Sequence, residues 1–346
     1  MCVGRSRTKY YMKRLQRNNI AYIYLIAIVM LLLSAALAVL LGSTKLPILE
    51  VVSQIANGNV DSPEARILIY VRLPRAISSL VCGMALAVAG AVIQGVLANR
   101  LASPSIIGVN AGAGLAVTLC SAFGVIGGWK LSLFSFIGAF LAVMIVSIGA
   151  KRWGSSRGTV ILLGVAINAF LGAVSDAVIT FMPEVGVMSN DFKVGDFSSV
   201  TYSRVLPAAV IVLMSVLVLL TLTNELDVLM LGDENARGLG LNTNIMHVIF
   251  LMLSALLAGA AVSVCGLLSF VGLLVPHAVR RAATSKSRHL LPLCALFGAS
   301  FVTICDTLAR VVFAPYELPV GVIMAFLGAP FFIFILIKGK GGHRNA

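Results

Sequence analysis

The sequence is short of charge. Only 11% of its 346 residues are Asp, Glu, Lys or Arg, against about a quarter in soluble globular domains, and this excludes an ordinary solvated fold. Acids are the scarcer sign, 13 against 26 bases, which leaves a net charge of +13. In a membrane protein such an excess collects in cytoplasmic loops, so it does not imply a nucleic-acid partner. Catalytic constellations are missing as well. No G-x-x-x-x-G-K-[ST] phosphate loop occurs, so any ATP has to be hydrolysed by another chain. The four histidines, His247, His277, His289 and His343, form no HExxH pair, and no serine sits in a G-x-S-x-G elbow. Cys2, Cys82, Cys120, Cys265, Cys294 and Cys305 make no CxxC pair. They give neither a disulfide framework nor a metal site, and no cofactor is expected.

What remains is apolar. The chain is 59% hydrophobic with a mean hydropathy of +1.02, and a membrane-spanning helix takes about 20 such residues. No dyad alternation of barrel strands is visible, so the expected fold is an all-α, polytopic integral membrane protein. Ten segments are read, at about 20–41, 74–97, 104–125, 130–150, 158–182, 204–223, 245–266, 268–283, 290–313 and 317–338, with Pro104 in the first turn of the third. A basic segment, 1–19, precedes the first span and a short tail, 339–346, follows the last. Ala36-Leu37-Ala38 resembles a signal-peptide cleavage site, but the apolar run is longer than a signal core and extends past it, which favours a retained span.

With both termini on one side, 18 of the 26 basic residues fall on that side and eight on the other, so the termini are expected in the cytoplasm. The same topology places the stretch 225–244 there. It holds Glu225, Asp227, Asp233, Glu234 and Arg237 within a few turns, too dense a cluster for hydrocarbon. Charge alone leaves it either a solvated loop or a docking surface for another protein. Gly232 is expected to break the preceding helix, Asp233 to cap a new one over about 233–237, and Gly238 to end it.

An internal repeat relates Leu80, Gly83, Ala85, Val88, Gly90 and Leu97 to Leu256, Gly259, Ala261, Val264, Gly266 and Leu273, at an offset of 176. Chance matching between apolar helices is the alternative. In the ten-span topology a true repeat, about 73–182 and 245–338, is inverted, a common transporter architecture. Gly83, Gly90, Gly95, Gly108, Gly112 and Gly114 fit close helix packing. Within the spans Asp176 and Asp306 read as lone acids, suited to interhelical hydrogen bonding or, less readily, to a proton relay in an ion-coupled secondary transporter.

Three stretches go beyond composition. RLPRAISSLVCGMALAVAGAVIQGVLANRLASPSIIGVNAGAG at 72–114, LGDENARGLGL at 231–241, and GLLSFVGLLVPHAVRR, LLPLCALFGASFVTICDTLAR and ELPVGVIMAFLGAPFF at 266–281, 290–310 and 317–332 together resemble the FecCD-like permeases of iron-chelate and cobalamin ABC importers. The resemblance implies a type II importer bundle of ten spans in the cytoplasmic membrane, which embeds in lipid and pairs with a second permease, identical or related. It also implies two cytoplasmic ABC ATPase subunits and an extracytoplasmic substrate-binding protein, with an iron(III)-siderophore, or alternatively cobalamin or haem, as cargo. By the same resemblance Arg72, Arg75 and Arg310 meet acids of the binding protein, unless they are only interfacial anchors. Leu231, Gly232, Asp233, Glu234, Ala236, Arg237, Gly238, Leu239 and Gly240 seat in the ATPase. Ser155 and Ser156 form an inner gate, and Asn168, Ser175 and Asp176 are candidates to line the path.

Overall fold

The computed structural model describes residues 3–44, 47–57, 61–125, 127–152 and 157–340, and each of the ten apolar segments holds a helix. These are α1 (Val3–Leu40), α2 (Leu73–Val96), α3 (Val109–Ala122), α4 (Gly128–Arg152), α5 (Arg157–Phe181), α6 (Tyr202–Thr221), α9 (Thr243–Cys265), α10 (Val271–Ala282), α11 (Ser287–Val311) and α12 (Val320–Lys340). The charged stretch between α6 and α9 is no loop but two further helices, α7 (Thr223–Met230) and α8 (Asp233–Gly238). Among the described residues seven helices are long and apolar enough to cross a membrane, whereas α3, α10 and the described apolar part of α12 are shorter. No strand occurs among the described residues.

Helix α1 begins at Val3, so the basic segment continues the first span as helix. Ala27 and Ala38 are fully buried, and Tyr24 Oη lies 3.4 Å from His289 Nδ1 of α11. Helix α1 packs along α11.

The repeat is visible in how helices pair. Helix α2 packs on α11 as its repeat mate α9 packs on α4, and α3 joins α4 as α10 joins α11. Between the two halves α2 and α9 lie against each other, and nearly all of α2 from Cys82 to Val96 is buried. Glycine sets these approaches, because a missing Cβ lets two helix backbones touch. A Cβ on Gly83 would stand 2.2 Å from the Gly298 carbonyl oxygen, and one on Gly112 would stand 2.3 Å from that of Gly138. Gly114 differs from expectation, since nothing lies within 4 Å of its Cβ direction.

The short helices start late for a common reason. Pro104 opens a 3-10 turn, Pro104–Ile107, rather than α3 itself, and Gly108 then takes φ +99 and restarts the chain as α3. Phe270 does the same at φ +68 ahead of α10. Irregular backbone at membrane depth is tolerated when buried in protein, and here Gly272 packs against Gly90 and Pro104.

Candidate functional site

The 24 residues of α2 span about 36 Å, and polar clusters gather at its two ends. At its N-terminal end Arg72, Arg75 and Arg310 come together, each only 3–4% exposed, around the fully buried Asp306. Arg75 donates through Nη2 and Nε to Asp306 Oδ1 at 2.9 and 3.0 Å, and through Nη1 to Glu317 Oε2 at 2.7 Å. Arg310 Nε lies 3.3 Å from Asp306 Oδ2. Asp306 is therefore not a lone acid, and the i,i+4 spacing to Arg310 is the signal that points to its partner. Burial alone raises the Glu317 carboxyl, but the hydrogen bond and charge of Arg75 outweigh it and hold Glu317 below the usual carboxylate range.

The remaining donors of the cluster close a helix end. The last carbonyls of a helix lack partners within it, and those of α1 find arginine. Arg72 donates to Val39 O and Leu40 O at 2.8 Å and to Thr44 O at 2.6 Å, and Arg310 Nη2 donates to Ala38 O at 3.1 Å. The three arginines are thus buried and bonded within the chain rather than free surface forks. Arg204 follows the same rule at Ser263 O and Val264 O of α9, while Arg280 reaches Ala91 O and the Gln94 side chain in the last turns of α2.

At the other end of α2 lies the charged segment. Leu226 and Met230 of α7 pack onto Gly95 of α2, and Asp227 Oδ1 accepts the backbone N–H of Ser287 at 2.9 Å, capping α11 from outside. Gly232, at φ +106, is the N-cap of α8, and Asp233 is its first residue rather than its cap. The Asp233 carboxylate instead meets Arg157 Nη2 at 3.4 Å and His247 Nε2 at 3.2 Å. Helix α8 ends at Gly238, but the left-handed residue after it is Gly240, at φ +85. Ala236 is buried beneath α8 and Arg237 Nε donates to Thr243 Oγ1 at 3.0 Å, while Glu234 is exposed and Leu231 and Leu239 stand 59% and 66% exposed. Two large apolar side chains beside a short helix held from below make a surface suited to a partner.

Residues 27–338 match the FecCD transport family. The chain belongs to that family. It is 33% identical over 331 residues to the Fe(3+)-citrate import system permease protein YfmD of Bacillus subtilis (strain 168), covering 96% of this chain and 99% of the relative. It is 35% identical over 291 residues to the hemin transport system permease protein HmuU of Yersinia pestis, covering 82% of this chain and 87% of the relative. A solved structure of a metal-chelate type ABC transporter in an inward-facing conformation superposes with a TM-score of 0.80 at 25% identity, over 92% of this chain and 99% of that one. This FecCD chain is accordingly a membrane-spanning ABC permease.

Of the residues expected to line a path, the described ones, Asn168, Ser175 and Asp176, all lie on α5. Asn168 Nδ2 donates to Ser105 O and Ile106 O at 2.9 and 3.1 Å, tying α5 to the 3-10 turn. Ser175 bonds its own helix at Leu171 O, and Asp176 is exposed. Ser155 and Ser156 lie outside the described residues. Sequence reasoning missed Glu317, Arg157, His247 and Asp227 as partners. Arg75 and Glu317 are 242 residues apart and Arg157 and Asp233 are 76 apart, so no local pattern links them.

Proposed function

We propose that this chain is the permease subunit of an ABC importer that carries an iron(III) chelate such as a siderophore complex across the cytoplasmic membrane. The observation that carries the reading is α8, an anchored short helix flanked by exposed Leu231 and Leu239 in a chain without a phosphate loop. Leu231 to Gly240 form the seat for a separate cytoplasmic ABC ATPase. The excess of basic residues on the α8 side supports a cytoplasmic position for it and for segments 1–19 and 339–346. A second permease subunit covers the free faces of α5 and α12, where Phe170 is 65% and Phe326 74% exposed. An extracytoplasmic binding protein docks at the Arg75 end. There an incoming carboxylate displaces Glu317, the partner of Arg75 that retains solvent access.

The relatives named above support ferric citrate or hemin as neighbouring cargo classes, and the identity to a hemin permease makes hemin the second reading. The test is uptake into vesicles that hold the permease with its ATPase and binding protein. Uptake should require both partners and ATP, with ferric chelates competing better than hemin. Transport by the permease alone down an ion gradient would overturn the proposal.

Two substitutions probe α8. Gly238→Pro removes a helical N–H, and Arg237→Glu breaks the hydrogen bond to Thr243. The bond ties α8 to the first residue of α9, so ATP-driven uptake and permease-stimulated ATP turnover should both fall in the two variants. Normal coupled turnover in both variants would remove α8 from the drive.

A further inference from the structure

We infer that Arg157 is the link through which a movement of α8 reaches α5, with the Asp233 carboxylate as its hinge point and His247 as the counterweight on α9. The inference rests on the reading of α8 as the ATPase seat and assigns a residue that this reading leaves out. Arg157 is the first residue of α5, and its guanidinium Nη2 holds the coupling segment at two places. It donates to Leu229 O, in the last turn of α7, at 2.8 Å, and it meets Asp233, the first residue of α8, at 3.4 Å. The guanidinium therefore spans the joint between α7 and α8. Asp233 shares the same oxygen, Oδ1, with His247 Nε2 at 3.2 Å, so one atom connects α5, α8 and α9.

The surroundings decide which helix yields when α8 is pushed. Helix α9 is fixed, because its apolar window is 72% buried and it lies against α2 and α4. The corresponding window of α5 is only 17% buried, and α5 packs on α3, α4 and the 3-10 turn. Within one subunit, before the second permease is counted, displacing α5 costs less apolar contact than displacing α9. Arginine suits the joint because it stays charged and its long side chain brings one nitrogen, Nη2, to a carbonyl and a carboxylate together, a reach that the shorter lysine stem meets only in part. Arg157 and Asp233 are about a quarter exposed, 25% and 28% at the side chain, so the pair is not sealed in the core and can break and re-form. Arg157 is thus a positioning residue of the transport cycle, acting through Asp233 and touching no cargo.

The experiment uses the full complex of permease, ATPase and binding protein in lipid vesicles and reads cargo moved per ATP hydrolysed. Arg157→Gln should lower that ratio by between about fivefold and a hundredfold, the usual range of a coupling free energy, and Arg157→Lys should recover only part of it. A second readout separates transmission from folding. Spin labels on Glu234→Cys and Leu162→Cys, in a chain carrying Cys2→Ser and Cys120→Ser, report α8 and α5, both at exposed positions, while Cys82, Cys265, Cys294 and Cys305 are at most 1% exposed. With Arg157 present both labels should shift on ATP binding, and with Arg157→Gln only the α8 label should shift. An unchanged ratio, or an α5 label that still follows α8, overturns the inference. A native complex in which the α8 label ignores ATP instead sinks the ATPase-seat reading beneath it.

Discussion

Gly90→Ala should cost this permease more than about 3 kcal/mol, beyond the usual range for overpacking a core. A Cβ at position 90 would lie 2.1 Å from the Gly272 carbonyl oxygen and 2.4 Å from Gly272 Cα. Both obstacles are backbone, so no rotamer change relieves the clash, and α2 and α10 have to separate. Separation has a second consequence, since Gln94 Nε2 donates to that same carbonyl at 2.9 Å and Gln94 also meets Arg280. Moving α10 therefore also draws Arg280, which α10 carries, away from Gln94 and Ala91 O. Gly114→Ala is the matched control. Nothing stands within 4 Å of its Cβ direction, and replacing a mid-helix glycine by alanine stabilises by about 0.5–1 kcal/mol. Thermal unfolding in detergent, with the monodisperse fraction as a second reading, should separate the two variants. Equal unfolding temperatures would mean that the α2–α10 contact does not hold the bundle together.

The ten helices were legible because hydrophobic runs long enough to cross a bilayer have few other fates, and because the two repeats share their glycine spacing. The cap of α8 was not. Asp233 has the composition of an N-cap, but Arg157 and His247 compete for its carboxylate, and Gly232 takes the cap position at an angle only glycine adopts freely. The arginines show the larger gap. An arginine near the end of an apolar run can reach water or close a neighbouring helix, and sequence carries no sign of which. For Arg72 the decisive partners are carbonyls of α1, about 30 residues upstream, and for Arg310 the carbonyl partner, beside the nearby Asp306, is 272 residues away. The location of α8 was readable from charge and motif, whereas the residues that bind it to the bundle become visible only once the chain is folded.

Asp306→Asn should destabilise the permease by about 3–5 kcal/mol, the cost of breaking a buried ion pair from one side. The carboxylate is fully buried, and Arg75 and Arg310 are 4% and 3% exposed, so neither cation gains water when the negative charge goes. Glu317 does not take over, because it already holds Arg75 through Nη1 and leaves Arg310 unneutralised. Since Arg310 also donates to Ala38 O, a displaced guanidinium opens the end of α1, and hydrogen exchange at residues 38–42 should rise with the loss of stability. Glu317→Gln, at a site with 30% side-chain exposure, should cost less than about 1 kcal/mol. Combining Asp306→Asn with Arg75→Gln removes one of the stranded cations, so the double variant should be more stable than the sum of the single losses implies. Additivity within about 0.5 kcal/mol would show that the two side chains are not coupled. Coupling there, together with a small Glu317 effect, would identify Asp306 as the charge that holds α1, α2 and α11 at one end, and would leave Glu317 free to exchange for a carboxylate of a docking partner.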